Sequence, residues 1–361
     1  MESPVRVLVT GGLGFIGRAC VPRLLERDCR AVVVDSLHEA VHGTDPDPGN
    51  YSREWSGDFE VMLGSVTDAP LMRRLVESVD SVIHLAALTS VPASMRRRAE
   101  YTEANITGTA VLCDAVAESP GVKRIVLASS RAVYGEGPYR CPRSCAGTLS
   151  NGFVRGLTEF ERGDWDPRCP ACGEVLQHVA CGEDSPLRPV SFYGVTKVAQ
   201  EQLIRQLLPF SDATAAILRL QNVYGPGPSR DVPDVGVANI LAQQALRGEG
   251  LSLFEDGGPS RDFVYIDDVA DLIVHAALNR FTDATCEVFN VGTGQATSLR
   301  QLVELIKGEI RNGVPARVTG EYRLGDIRHS AADTRRLAKH YAWSPVPVDE
   351  GMRRLIGWLR A

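Results

Sequence analysis

Three glycines, Gly11, Gly14 and Gly17, stand directly behind the apolar run 5–9 and constrain this chain more than any other feature. The run reads as a strand, and the amphipathic stretch 18–27 reads as a helix. Gly-x-x-Gly-x-x-Gly between them permits a tight turn and a close backbone approach to a pyrophosphate. It also leaves the helix N-terminal amides and the positive end of the helix dipole facing that anion. Strand and helix signals keep alternating, with strands expected at 31–34, 59–63, 81–85, 124–128 and 215–220 and helices at 69–78 and 100–117.

Such alternation implies α/β architecture: a Rossmann-type doubly wound parallel sheet with helices on both faces. The second strand runs into Asp35, about 20 residues beyond the glycines. A carboxylate there accepts hydrogen bonds from an adenosine ribose and repels a 2′-phosphate, which favours NAD over NADP; Arg18 is the nearby cation that complicates this reading. After Gly225 the pattern becomes mixed, with helices expected at 235–247, 267–278, 299–311 and 349–358 and short strands between. The expected division is a cofactor domain at 1–225, carrying a Cys-rich insertion at about 137–187, and a smaller mixed α/β substrate-binding lobe at 226–361.

Composition narrows the function classes. With 361 residues, a net charge of −6 and no dense Lys/Arg stripe, the chain is not expected to bind nucleic acid. Arg96-Arg97-Arg98, its strongest basic run, reads as a solvated helix start. The first residues lack a signal-peptide layout and no run approaches membrane-spanning length, so a cytoplasmic protein without membrane partners is expected.

Tyr193 and Lys197 lie four residues apart and share one helix face. A lysine ammonium near a phenol favours the phenolate and brings its acidity toward working pH, so that the phenol can exchange a proton with a sugar hydroxyl. Ser129-Ser130 lies upstream, in the right order to join that pair.

With these motifs the chain resembles the extended short-chain dehydrogenase/reductase family, in its nucleotide-sugar epimerase/dehydratase branch. The likeness runs through Thr10–Gly17, His84-Leu85-Ala86-Ala87, Asn105–Thr109, Ser129–Gly135, Tyr193-x-x-x-Lys197, Leu218–Pro226, Arg261–Tyr265 and Asn290-Val291-Gly292. It implies NAD held by Gly11, Gly14, Phe15, Ile16, Gly17, Asp35, Ser36, Ser65, Val66, Leu85, Ala86, Ala87 and Thr89, together with Tyr193 and Lys197. It further implies Ser130 on the sugar 4-oxygen, Tyr193 as acid/base and Lys197 on the nicotinamide ribose. Asn222, Arg261, Arg323 and Asp326 match positions that hold a nucleotide diphosphate and its ribose. Arginine suits that work because its fork pairs phosphate oxygens bidentately. Asn105 reads as a structural hydrogen-bonder beside the site. The chain departs from the family at Ser65, where an adenine-contacting Asp is usual, and at Leu220-Gln221, which replaces an aromatic pair. A homodimer built through two helices per subunit is also implied.

The residues after Ser130 separate the reactions. Dehydratases of this branch place Asp-Glu there and decarboxylases keep a Glu, whereas this chain has Arg131-Ala132, neither of which is a carboxylate acid/base. Elimination is disfavoured. Redox at C4 remains: a 4-epimerase working through a transient 4-keto sugar, or a one-way NAD-dependent 4-ketoreductase. A non-catalytic NAD-binding scaffold is the reading from a different class.

Tyr134 and Tyr193 are about 59 residues apart, roughly twice the spacing expected in a plain family member. The excess carries Cys141-x-x-x-Cys145 and Cys169-Pro170-Ala171-Cys172-Gly173, four of the nine cysteines. Cys-Pro-x-Cys-Gly is a zinc-knuckle pattern, so a structural zinc on Cys141, Cys145, Cys169 and Cys172 is one expectation. Free thiols and disulfides are the alternatives, and Cys181 and His178 are substitute ligands. The Cys-bearing insertion, with 134–141 and 323–329, resembles the dTDP-L-rhamnose 4-epimerase group, which implies a dTDP- or UDP-linked (6-deoxy)hexose. The insertion is expected to act as a lid, a specificity element or a dimer contact.

Overall fold

A computed structural model describes residues 4–361 except 45, 146–147, 151–154, 228–235, 312 and 324, and omits the side chains of 148–150. Seven strands form the central sheet: β1 (Arg6–Thr10), β2 (Arg30–Asp35), β3 (Phe59–Leu63), β4 (Ser81–His84), β5 (Arg124–Ser130), β6 (Thr214–Leu220) and β7 (Cys286–Val291). Their order is β7-β6-β5-β4-β1-β2-β3, and every neighbouring pair is parallel. The first six strands fall where the apolar runs predict, with ends shifted by one or two residues.

Alternation along these strands feeds two cores. Val7 and Val9 point to one face, where α1 (Phe15–Leu25) and a later helix bury Val21, Leu24, Leu272 and Ile273. Leu8, Val32 and Val34 point to the other, against α2 (Ala69–Val76), α3 (Gly108–Ala117) and α4 (Phe192–Leu207). Downstream come α5 (Val237–Leu246), α6 (Ile266–Leu278), α7 (Leu299–Ile310) and α8 (Val348–Arg360), close to the four expected helices. Val235, the expected first residue of α5, lies outside the described residues. Helices α5, α7 and α8 pack around Leu241, Leu302, Ile306, Leu355 and Ile356 as the core of the lobe.

The expected division at residue 225 is not respected by the sheet. Strand β7 pairs with β6 along Cys286–Val291, and α6 covers the face that α1 covers. Cys286–Val291 is a short apolar run without a helix period, so nothing local distinguishes an edge strand of the main sheet from a strand of the lobe. A buried ion pair helps tie this late segment down. Arg124 on β5 donates to Glu287 on β7 at 2.6 Å and to the Ala276 carbonyl of α6 at 2.7 Å.

The helical stretch expected at 100–117 is observed, with a π-helical segment, Thr102–Thr107, inside it. That wider turn carries Asn105, which accepts from Leu88 N and donates to Leu88 O and to Thr196 Oγ1. Asn105 thereby clamps the loop after β4 against α4. The insertion forms a small antiparallel sheet in which Pro138–Arg140 lies between Thr148–Ser150 and Gln177–His178.

Arg124→Met would leave Glu287 buried without its cation and should destabilise the protein by about 3–5 kcal/mol, read from urea denaturation. A loss below about 1 kcal/mol would show that the pair does not hold β7 in place.

Candidate active site

The strand order reverses between β1 and β4, which opens a crevice beyond their C-terminal ends, where ligands of open α/β sheets bind. A cavity of about 680 Å³ sits there. Every residue expected to hold the dinucleotide lines it, from Gly11 and Phe15 through Asp35, Ser65, Val66 and Ala87 to Thr89 and Lys197, and Ser130 and Asn222 line it too.

The glycines are needed for distance as much as for turn shape. Gly11 has a φ of +67°, and a Cβ there would meet the Ala86 amide nitrogen at 2.8 Å. A Cβ on Gly17 would meet Gly12 Cα at 2.5 Å, so only glycine lets α1 start this close to the turn. Helix α1 begins after Gly14 with no side-chain cap, leaving its first amides for an anion in the cavity. The opposite wall is set by His84, whose Nδ1 lies 2.8 Å from Thr10 Oγ1 and whose Nε2 lies 2.9 Å from Thr109 Oγ1. Burial pushes His84 down to about 3, so it is a neutral bridge between β4 and β1. Thr10 Oγ1 in turn accepts the Ala86 amide at 3.2 Å.

Asp35 accepts the amides of Leu13 (3.0 Å) and Leu37 (2.9 Å) and meets His42 Nε2 at 3.2 Å. It is oriented from three sides and still faces the cavity, as a ribose-binding carboxylate must. His38, Glu100 and Glu103 also line this cavity and were not singled out in the sequence; they stand outside any motif. Ser65 is held by Thr67, with its Oγ 2.8 Å from Thr67 Oγ1. An uncapped helix N-terminus, glycines that admit backbone, and a buried carboxylate together fit a dinucleotide without a 2′-phosphate.

Ser130, Tyr193 and Lys197 come from two elements, the end of β5 and the first turns of α4. Helix α4 starts cleanly because Ser191 caps it, accepting Gly194 N at 3.1 Å. Lys197 Nζ donates to the Ala128 carbonyl at 2.9 Å and lies 5.9 Å from the centre of the Tyr193 ring. Burial pushes the Tyr193 phenol up to about 12; a side-chain hydrogen bond with Ser130 opposes this, and the nearby Tyr101 adds to it. Burial pushes Lys197 down to about 7, against the pull of Glu201. Both groups are therefore poised by desolvation, the condition in which added charge moves a proton most easily.

Behind them lies a buried network that the motif spacing does not reveal. Glu201 accepts Ser129 Oγ at 2.6 Å and is bound bidentately by Arg219 at 2.9 and 2.7 Å. Arg219 also donates to Tyr134 Oη (2.8 Å), which donates to Asn290. Glu201 stands one turn beyond Lys197 and two beyond Tyr193, so the same four-residue spacing, carried one step further, would have found it.

The expected nucleotide-binding residues are not all together. Asn222 lines the cavity, and its Oδ1 is buried with no partner among the described residues. Arg261 donates to Asp326 at 2.8 Å and sits beside Asp262, whose carbonyl accepts Asn222 N at 2.9 Å. Arg323 is exposed, with its guanidinium 5.0 Å over the Phe254 ring. Leu324, within the motif that carries Arg323, lies outside the described residues. Gln221, one of the family departures, is held by Ser330 at 2.9 Å.

In the insertion the sulfurs of Cys141, Cys145, Cys169 and Cys172 lie within 4.8 Å of one another. Four of their separations are 3.3, 3.4, 3.5 and 3.6 Å. A disulfide needs about 2.05 Å, whereas zinc–sulfur bonds of about 2.3 Å imply a tetrahedral edge of about 3.8 Å. The looser Cys141-x-x-x-Cys145 pair joins the cluster; Cys181 instead packs against Val133 and Tyr134.

The low value of Lys197 predicts a pH dependence. Below about pH 7 folded and unfolded chains both carry the ammonium, and the fold bears its full desolvation cost. Between about 7 and 10.5 only the unfolded chain keeps the proton, so the cost fades as pH rises. Lys197→Met should therefore stabilise the cofactor-free protein most below about pH 7, with the advantage shrinking toward about pH 10. Urea midpoints across that range measure it, and a pH-independent difference would exclude a desolvated ammonium.

A family model described as "NAD dependent epimerase/dehydratase family" matches residues 7–149 and 172–292. The gap between the two stretches falls inside the expected insertion. A dTDP-L-rhamnose 4-epimerase of Burkholderia thailandensis is 36% identical over 358 residues, covering 98% of this chain and 94% of that one. A UDP-glucose 4-epimerase of Thermotoga maritima, solved with UDP-glucose, superposes with a TM-score of 0.78 at 28% identity, covering 99% of both chains. The UDP-glucose 4-epimerase of Thermus thermophilus, solved with NAD, gives 0.75 at 26% identity, again covering 99% of both. Gly turn, Asp35 and the Ser130, Tyr193 and Lys197 set thus stand in a chain whose whole length is shared with such enzymes: it belongs to the NAD dependent epimerase/dehydratase family.

Proposed function

We propose that this protein is a nucleotide-sugar 4-epimerase that retains its own NAD and acts on a dTDP- or UDP-linked (6-deoxy)hexose. The observation that carries the reading is the meeting of Ser130, Tyr193 and Lys197 at one cavity with the glycine turn and Asp35, with no carboxylate in the two residues after Ser130. The nearest following carboxylate, Glu136, is committed to Tyr139 Oη and Arg328 N, both at 2.7 Å.

In this reading Ser130 holds the sugar 4-oxygen and Tyr193 takes the 4-hydroxyl proton, later returning one to that oxygen once the 4-keto sugar has turned to present its other face to the cofactor. Lys197, tied to Ala128, keeps two N–H groups for the nicotinamide ribose, and its charge favours the phenolate. Bound NAD would supply the hydride acceptor at C4, the donor for the return step, and a positive ring that lowers the phenol further. Asn222 Oδ1, Arg261, Arg323 and Asp326 would hold the nucleotide diphosphate, with the arginines and Asp326 contributed by the lobe beyond residue 225.

Two further assignments belong to this reading. The four-cysteine cluster would hold a structural zinc, supported by sulfur separations close to a tetrahedral edge. The chain would work as a homodimer in the cytoplasm; exposed apolar side chains at Val91, Met95 and Val195, on and beside α4, and nine free cysteines support this. Among the described residues, no helix is long and apolar enough to cross a membrane.

Tyr193→Phe should lower turnover by roughly 10²–10⁴-fold while leaving NAD affinity unchanged, measured by fluorescence titration. Unchanged turnover would remove Tyr193 from the chemistry. Incubation with a panel of UDP-, dTDP- and GDP-sugars, without added cofactor, should give inverted H4 proton couplings for one or more of them. Product formed only with stoichiometric NAD(H) would instead identify a 4-ketoreductase. Native mass spectrometry should find a dimer with one zinc per chain; a metal-free monomer would reject both assignments.

A further inference from the structure

The Arg328 side chain, outside the cavity, is gripped by three carboxylates. Its Nε donates to Asp166 at 2.7 Å, and Nη1 donates to Glu255 at 2.8 Å and to Asp256 at 2.7 Å. Nη2 adds a second bond to Asp256 at 2.9 Å. Its amide donates to Glu136, and its carbonyl accepts Arg261 Nη1 at 3.3 Å. A guanidinium only 3% exposed and shared by three carboxylates is a costly way to fill space, since apolar residues would do so without desolvating charge. What such a network provides is fixed geometry, because the fork accepts few arrangements of its partners.

We propose that the Cys-rich insertion is a strut that fixes Tyr322 and the arm 325–333, and that Arg328 is the positioning residue through which it sets Arg261 against the diphosphate. This rests on the reading of Arg261 and Asp326 as diphosphate-binding residues. The insertion grips the arm at separate points. Phe160 stacks on Tyr322, with centroids 4.7 Å apart and planes 11° from parallel. Arg155 donates to the Asp326 carbonyl at 3.0 Å and to Glu255 at 2.7 Å. Cys181 exchanges backbone bonds with Ala331 and Asp333, both at 2.9 Å. Each cysteine pair adjoins one grip on Arg328. Asp166 stands three residues before Cys169; Tyr139, which orients Glu136, stands two before Cys141. Closing the cluster therefore sets the spacing of the two grips.

The test uses the NAD-loaded enzyme and three variants: Asp166→Asn, Arg155→Met and Arg261→Met. UDP and dTDP are titrated by calorimetry, alongside steady-state kinetics on the sugar that the panel identifies. Asp166→Asn and Arg155→Met should each weaken nucleoside diphosphate binding and raise KM by roughly tenfold, with kcat and NAD affinity within about twofold of the parent. Asp166 is half-exposed, so its amide variant is expected to fold even if Arg155→Met does not. Unchanged diphosphate affinity in Asp166→Asn, while Arg261→Met weakens it, would overturn the strut and leave the diphosphate reading standing. Unchanged affinity in Arg261→Met would sink both. An equal fall in kcat and NAD affinity without a change in KM would mark Asp166 as merely structural and likewise overturn the proposal.

Discussion

The rest of the site depends on how closely α1 approaches β1. Gly17 lies so near Gly12 that a single methyl group would have to occupy backbone, and Gly11 stands nearly as close to Ala86. That contact puts the uncapped end of α1 at the crevice between β1 and β4. It also brings Leu13 N within 3.0 Å of Asp35. One steric condition thus fixes the uncapped start of α1 and Asp35 together. Widening the turn by a methyl group would move both, because Leu13 is on the turn and Asp35 ends the adjacent strand.

Around the reacting end, desolvation matters more than direct pairing. Lys197 bonds a carbonyl rather than a carboxylate, and the nearest acid on its helix, Glu201, is satisfied by Arg219 and Ser129. A closer carboxylate would hold the lysine charged but would also neutralise its effect on Tyr193. The arrangement leaves the lysine's field directed at the Tyr193 phenol. Glu201 and Arg219 have a second effect: they join α4 to β6 and, through Tyr134 and Asn290, to β7, so α4 is fixed to the sheet by buried hydrogen bonds.

The insertion is built differently from the rest of the chain. Among its described residues, Tyr139, Cys141, Cys169 and Leu176 form a small apolar cluster, and Phe160 is buried apart from it against Tyr322. The insertion meets Tyr322 through that ring stack and residues 326, 331 and 333 through hydrogen bonds, and four thiols cluster beside its small core.

Much of this was legible in sequence wherever the determinant is local. The glycine turn, Asp35 at a strand end, and Tyr193 four residues before Lys197 are all written in spacing, because one strand or one helix turns a fixed spacing into a fixed direction. Six of the seven sheet strands followed from apolar runs for the same reason. What only the tertiary structure decided involves residues far apart in the chain. Strand β7 belongs to the main sheet through its register with β6 and through Arg124, 163 residues from Glu287. Glu201 meets Ser129 across 72 residues, and Arg328 meets Asp166 across 162. Cys145 joined Cys169 and Cys172 although its spacing from Cys141 is loose, because the fold of the insertion, not the interval within a pair, sets where four sulfurs converge. Local spacing carries no information about such partners: a charge or a thiol finds its complement only after the layers have packed.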